Sequence, residues 1–390
     1  MKNQYCIAII VVALIIKFFL LAFQSFAAPE SKFQPDSYLY MGTEAALFSH
    51  STPGIVDPLA SFRNGSRSSP GYPLFLAVFH GFMRIPLEGI LFIQVLLTIL
   101  AAFIVYKAAI QIDPRMGFVS AAIILYSQAI AIYSLMILTE SLFLVLIALF
   151  MYYFIQYLKN REIRPLLISS VMLVLAIYVR PGSYAIGVTV AVFIIYANAH
   201  ANIKKSIVHA IIFLVTVYAL LGIWQIRKYM TLGDWAFSGV DQTSTGNELL
   251  HSYAKSAKLH TPGMTPVQYY LFGIWSCFFS LMARPGSLKY FHVHVLTAMG
   301  KVFGYLWVAF SGIGLIYGIR KIGKNIYCHF LLFIVINYVC GSIIGEMWNV
   351  GERYRIQMEP FLAVLSAYGW ILLISLIEKR SCIKATGAKI

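Results

Sequence analysis

The sequence predicts an all-α polytopic membrane protein, with about ten transmembrane helices and further interfacial helices in two long extracytoplasmic loops. Three observations carry that expectation. Hydrophobic residues make up 60% of the 390 and charged residues only 12%, a balance foreign to a soluble domain of this size. Apolar runs long enough to cross a hydrocarbon core, about 20 residues each, recur from one terminus to the other. Lysine and arginine gather in alternate short loops, as they do beside spans that end in the cytoplasm.

In chain order the expected spans are Tyr5 to Phe26, Pro86 to Tyr106, Met116 to Ile137, Ser141 to Leu158, Pro165 to Val179, Gly182 to Ala199, Ser206 to Ile226, Val293 to Ile319, Ile326 to Gly345 and Met358 to Ile377. The first ends in SFAAPE, whose small residues would also suit a cleaved leader. Its apolar region is too long for one and contains Lys17, so it is kept as a helix. Residues 1–390 read as one integral membrane domain.

Placing both termini in the cytoplasm puts Lys2, Lys107, Arg115, Lys159, Arg161, Arg164, Lys204, Lys205, Arg320, Lys321, Lys324, Lys379, Arg380, Lys384 and Lys389 on that side, with most of the net charge of +15. The charge is a topology signal for a multi-pass protein of the inner (plasma) membrane and requires no nucleic-acid partner. The five cysteines are scattered and define no disulfide framework.

The opposite face owns both long connections, residues 27–85 and 227–292, and function is expected there. Each holds a half-length apolar stretch, Pro70 to Arg84 and Val267 to Arg284, flanked by aromatic residues and arginine. They read as interfacial helices. The alternative, that either crosses the membrane, would invert the helices between them and spoil the charge asymmetry.

That face gathers Asp36, Arg63, Arg67, Glu140, Arg180, Arg227, Lys228, Asp234, Asp241, Glu346, Glu352, Arg353 and Arg355. Any single cation of the set can be one that snorkels to lipid headgroups; ionisable groups collected beside span ends are more readily explained as a site. Arg180 illustrates why. Pro165 to Val179 is about 22 Å as helix against a core of about 30 Å, so Arg180 sits below the membrane surface. The RPGS that follows frees backbone groups, tolerated at that depth only in a protein-lined or watery cavity. A cationic cavity suits an anionic lipid headgroup, particularly a phosphate. Asp36, in FQPDSYLYMGTEAAL, is placed either as a general base or as a helix cap; Glu140, in ILTESLF, either serves the chemistry or caps the fourth span.

Taken together in order, these motifs resemble the GT-C superfamily of lipid-carrier-dependent glycosyltransferases, especially the branch of protein O-mannosyltransferases and lipid A aminoarabinose transferases. The likeness covers nearly the whole chain: Asp36 in the first loop, RSSPGYPLFLA from Arg67, LTESLF, Arg180-Pro181, WQIRKYMTLGDWAF from Trp224 and ERYRIQMEPFLAVLSAYG from Glu352. Ser37 stands where the mannosyltransferase pattern has Glu, and Ser68, Ser69, Lys228 and Gln357 also depart from it, so the acceptor is not carried over.

The resemblance implies a GT-C-like fold and a transferase that moves a sugar from a polyprenyl-phosphate donor to a hydroxyl acceptor in the cell envelope (glycan, lipid or protein) at the extracytoplasmic face of the bilayer, inverting the anomeric carbon. Asp36 would be the general base and Glu140 the second catalytic carboxylate, orienting the acceptor or assisting a metal. Substrate binding would fall to Arg63, Arg67, Tyr72, Arg180, Arg227, Lys228, Arg353 and Arg355. No metal ligand is assigned and the cofactor is unknown, with a divalent metal left open; His292 and His294 read either as a ligand pair or as headgroup-level residues. A flippase for a lipid-linked sugar would also want a basic cavity, but on both sides of the membrane. An O-antigen ligase or polymerase type of transferase shares the carrier chemistry.

Overall fold

In this computed structural model residues 2–48, 69–198, 202–233, 235, 237, 265–285, 294–346 and 351–386 are described. Every regular element among them is helical. The first half holds α1 (Lys2–Ala27), α2 (Pro35–Phe48), α3 (Gly71–Leu76, continuing as a π turn over Ala77–Phe82), α4 (Leu87–Ile112), α5 (Met116–Tyr126), α6 (Gln128–Tyr133), α7 (Glu140–Asn160) and α8 (Ile163–Val179). After a 3-10 turn at Pro181–Ser183 come α9 (Ile186–Asn198), α10 (Ile203–Leu232), α11 (Pro266–Ala283), α12 (His294–Arg320), α13 (Ile326–Glu346), α14 (Glu352–Arg355) and α15 (Glu359–Thr386).

Six of these helices are long and apolar enough to cross a membrane among the described residues: Leu87–Ile112, Glu140–Asn160, Ile203–Met230, Thr297–Arg320, Ile326–Ile344 and Glu359–Lys379. Val11–Ala27, Met116–Tyr126, Ile163–Val179 and Pro181–Ala197 are shorter apolar helices. The ten expected spans thus correspond to six full-length helices and four short ones. Both loop stretches are also helical; α11 opens with a capping box in which Thr265 and Gln268 each bond the other's backbone N–H.

The core is a dry aromatic stack. Phe154 of α7 meets Phe330 of α13 with ring centroids 4.3 Å apart, and Phe150, Phe193, Phe213 and Phe361 close around them. Small residues bring α12 and α15 together: a methyl built on Gly369 would run into the Gly314 carbonyl. Trp370 locks the crossing by donating from Nε1 to the Phe310 carbonyl at 3.0 Å. Val302, Leu306, Ile313 and Ile316 of α12 remain exposed, as expected of a face turned to lipid.

One expected span is wrong as a helix. Met116 to Ile137 is not continuous: α5 ends at Tyr126, Ser127 is extended and its hydroxyl caps α6, and residues 134–139 form turns and bends outside any helix. Unpaired peptide groups cannot be left in a membrane, so side chains take over from the helix ladder. Gln94 Nε2 donates to the carbonyls of Ser134 at 3.1 Å and Met136 at 2.6 Å, and Gln24 Nε2 to that of Leu135 at 2.7 Å. Ile137 donates to the Lys32 carbonyl and accepts from the Ser37 hydroxyl at 2.8 Å. This irregular stretch delivers Glu140 to the start of α7. Lys17, within the first expected span, is buried, and its Nζ has no hydrogen-bond partner among the described residues.

Candidate active site

Asp36 lies in the first turn of α2, Glu140 opens α7, Arg180 follows the last residue of α8 and Arg353 belongs to the single turn α14. Their side chains form one unbroken line of ion pairs. Arg353 donates from Nη1 to Asp36 Oδ2 at 2.6 Å and from Nε to Glu140 Oε1. Arg180 donates from Nη1 to the same Glu140 oxygen at 2.6 Å. With the Gln357 amide turned so that its oxygen faces Arg180, that oxygen accepts from Nε at 2.9 Å and Nη2 at 3.3 Å. The Arg180 guanidinium also lies 5.3 Å from the centre of the Tyr354 ring.

Local sequence explains the placement. A residue before proline is driven out of helical geometry, so Pro181 ends α8 at Val179 and leaves Arg180 extended, with φ −147 and ψ 109. The end of α8 is pinned from outside by the SPGYP stretch: Ser69 Oγ donates to the Val179 carbonyl at 2.9 Å. Gly71 has to be glycine here, since a Cβ would lie 2.8 Å from the Tyr178 backbone carbonyl carbon and oxygen.

Exposure separates the two carboxylates. The Asp36 side chain is 44% exposed, whereas that of Glu140 is 2% exposed and enclosed by two guanidinium groups. Asp36 is therefore open to solvent, and Glu140 holds two arginines in position. Burial works against the charge of Arg353, but Glu140 and Asp36 outweigh it and hold its pKa well above the usual value. Burial likewise raises the pKa of the adjacent Tyr40 phenol, against the pull of Arg353. This donor set does not fit a divalent cation: Arg353 already stands between the two carboxylates that would ligate one. Among the described residues no group of three or more His, Cys, Asp or Glu is arranged to hold a metal ion. His292 and the His294 side chain lie outside them.

The remaining expected residues divide. Arg355 is buried and turned away from the line, donating from Nε to Glu359 at 3.0 Å and from Nη1 to the Arg284 carbonyl at 2.8 Å. Tyr72 is fully buried beneath the site, its hydroxyl donating to Gln94 Oε1 at 2.5 Å and its ring edge-on to Tyr40. Arg227 is exposed over the Trp224 ring, with its guanidinium carbon 5.3 Å from the centroid, and Lys228 is buried. Glu352 is buried, 3.6 Å from Arg284. Arg63, Arg67, Asp234, Asp241 and the Glu346 side chain lie outside the described residues. Sequence reasoning missed Gln24, Tyr40, Gln94 and Tyr354, and noted Ser37 and Gln357 only as departures from the family pattern. Gln24 and Gln94, single amides inside apolar runs, were the available signal.

Beside the cluster an apolar groove of about 510 Å³ runs between α3, α7, α8 and α10, walled by Leu142, Leu146, Leu175, Tyr178 and Val179 and topped by Trp224 and Arg227. An apolar trough with an arginine at its mouth suits a long-chain anionic lipid.

Comparison with known proteins agrees with this architecture. The family described as Dolichyl-phosphate-mannose-protein mannosyltransferase matches residues 67–224. Among solved structures, the archaeal oligosaccharyltransferase AglB from Archaeoglobus fulgidus, in complex with an inhibitory peptide and a dolichol-phosphate, superposes with a TM-score of 0.55 at 13% identity. The match covers 100% of this chain and 53% of that one. The same organism's oligosaccharyltransferase in its apo form gives a TM-score of 0.57 at 12% identity over 100% and 53% of the two chains. Tethered to an acceptor peptide containing the NVT sequon, it gives 0.56 at 13% over 100% and 52%. A search of curated proteins returns no match.

The molecule is thus a multi-pass membrane protein with the GT-C fold. The family match covers residues 67–224, and the solved structures share the fold at 12–13% identity. The chain spans about half the length of the solved structures it matches.

Proposed function

We propose that this protein transfers a sugar from a polyprenyl-phosphate carrier to a hydroxyl acceptor at the extracytoplasmic face of the inner membrane. The observation that carries the reading is the line Asp36–Arg353–Glu140–Arg180, drawn from four separate elements, with only its aspartate end substantially open.

The carrier chain lies in the groove beneath Arg227, whose wall falls almost wholly within the stretch matched by the mannosyltransferase family. Arg227 and Arg353 hold the phosphate, Arg353 offering the planar fork that suits a phosphate oxygen pair. A phosphate that takes Nη1 of Arg353 displaces it from Asp36, which frees the carboxylate. Asp36 then removes the acceptor's proton as its oxygen attacks the anomeric carbon. The bond from that carbon to the carrier oxygen breaks, its electron pair stays on the phosphate, and configuration inverts. The phosphate needs no general acid, and the guanidinium groups stabilise the charge it gains. Glu140 fixes Arg353 and Arg180 in register. Arg355, neutralised by Glu359, takes no part in binding phosphate.

The test is transfer by purified protein in liposomes containing polyprenyl-phosphate sugars, with envelope glycans and lipids of cells with and without the protein compared by mass spectrometry. Asp36→Asn that transfers at the wild-type rate sinks the base assignment. Arg353→Ala is expected to weaken carrier binding and spare the acceptor; unchanged carrier affinity removes its role.

A further inference from the structure

A second groove, of about 500 Å³, opens on the other flank of the cluster, between α11, α12, α13 and α15. Its wall is apolar, including Met282, Leu315 and Val339, and its polar end holds Gln128 and Arg355. Resting on the transferase reading above, we propose that this groove binds the acceptor, and that the acceptor is a lipid: a long apolar chain carrying a hydroxyl-bearing head.

Three features select that occupant over the carrier. Most of the wall lies outside the stretch shared with the mannosyltransferase family, whereas the first groove lies inside it. The one cation lining the polar end among the described residues is already satisfied: Arg355 is bound by Glu359 and the Arg284 carbonyl, and Ser127 Oγ donates to the same Glu359 oxygen at 3.0 Å. Among the described residues that line the groove, no charge is left over for a phosphate. What is left over is the Gln128 amide, whose Nε2 and Oε1 are both buried without a hydrogen-bond partner among the described residues, packed against Gly304. A primary amide offers both N–H donors and an acceptor oxygen, and a hydroxyl, which also both donates and accepts, can pair with either side of it. Arg355, at the groove's polar end, and Arg353, bound to Asp36, stand two residues apart on one helical turn, so that turn links the groove to the ion-pair line. The acceptor hydroxyl gives its proton to Asp36 and forms the new bond to the anomeric carbon as the carrier phosphate departs.

Cys340 provides the readout, since it is a free, exposed thiol on the groove wall while Cys277 and Cys328 are buried. The full-length protein in detergent is treated with N-ethylmaleimide and the Cys340 peptide is followed by mass spectrometry. A glucosyl diacylglycerol is expected to slow alkylation saturably, about tenfold at ten times its Kd. The same lipid with its sugar hydroxyls methylated, and undecaprenyl monophosphate, are expected to protect at least several-fold less. Equal protection by the methylated lipid means that any apolar chain fills the groove, and overturns the proposal. So does protection by undecaprenyl monophosphate alone, which would make this the carrier's groove. Gln128→Leu should erase the preference for free hydroxyls; should that variant misfold, the comparison of lipids on the wild-type chain still decides. Transfer to a lipid hydroxyl with Cys340 unprotected overturns the groove assignment and leaves the transferase reading standing. Protection without transfer from any polyprenyl-phosphate sugar removes the reaction and leaves a lipid site.

Discussion

Replacing Glu140 by glutamine keeps the shape of the side chain and removes one buried negative charge from between two guanidinium groups. The three side chains are 2%, 13% and 24% exposed for Glu140, Arg180 and Arg353. Breaking a buried pair by deleting one partner costs about 3–5 kcal/mol. Arg353 keeps Asp36 and Arg180 keeps Gln357, so the lower end, about 3 kcal/mol, is expected. Asp36→Asn removes a charge of the same sign from the same line, but at a side chain 44% exposed with one partner, and is expected to cost about 0–1 kcal/mol. Unfolding of the purified variants in detergent, by heat or by denaturant, reads the difference. Transfer assays on the same samples read the other half: Asp36→Asn should lose at least about a hundredfold in rate, the scale of a general base, while remaining folded. If Glu140→Gln costs less than about 1 kcal/mol, or if Asp36→Asn is the more destabilised of the two, the assignment of Glu140 as anchor and Asp36 as base is refuted.

Other perturbations follow from the same contacts. Gln94→Leu strips partners from the Ser134 and Met136 carbonyls and the Tyr72 hydroxyl. At about 1–3 kcal/mol for each buried group left unsatisfied, it should be among the most destabilising changes in the chain by equilibrium unfolding. Gly71→Ala places a methyl 2.8 Å from the Tyr178 backbone; an overpacking cost of about 1–3 kcal/mol is expected, with increased amide exchange at the end of α8. Gly369→Val should cost at least as much through its clash with the Gly314 carbonyl, whereas Gly222→Ala, with nothing within 4 Å of the new methyl, should be neutral or stabilising by about 0.5–1 kcal/mol. Thermal unfolding of the two side by side checks the contrast.

Helices were readable because lipid imposes one rule, that peptide groups be satisfied within the segment. Each expected span but the third therefore has its helix, and both loop helices appear where aromatic residues and arginine flank a short apolar run. The third failed because hydropathy reports how apolar a side chain is and is blind to which partner its backbone takes. ILYSQAIAIYSLMIL is as oily as its neighbours, and the groups that bond the break in it, Gln24, Lys32, Ser37 and Gln94, lie far away in sequence. The candidate site was legible as a set of charges facing one side, and Asp36, Glu140, Arg180 and Arg353 do converge. How they are shared out was not. Arg353 and Arg355 look equivalent in ERYR, yet one joins Asp36 and the other Glu359, a division set by tertiary packing around a four-residue turn.

The borrowed bonds of residues 134–137 also constrain how the protein is made. Three of their carbonyls depend on amides from α1 and α4, so this piece of backbone cannot settle in hydrocarbon until both hosts have arrived. Synthesis from the N-terminus delivers the hosts first. A circular permutant that began at α5 would have to bring the same peptide groups into the bilayer with nothing there to receive them, and should stall at insertion even though its finished structure would be identical.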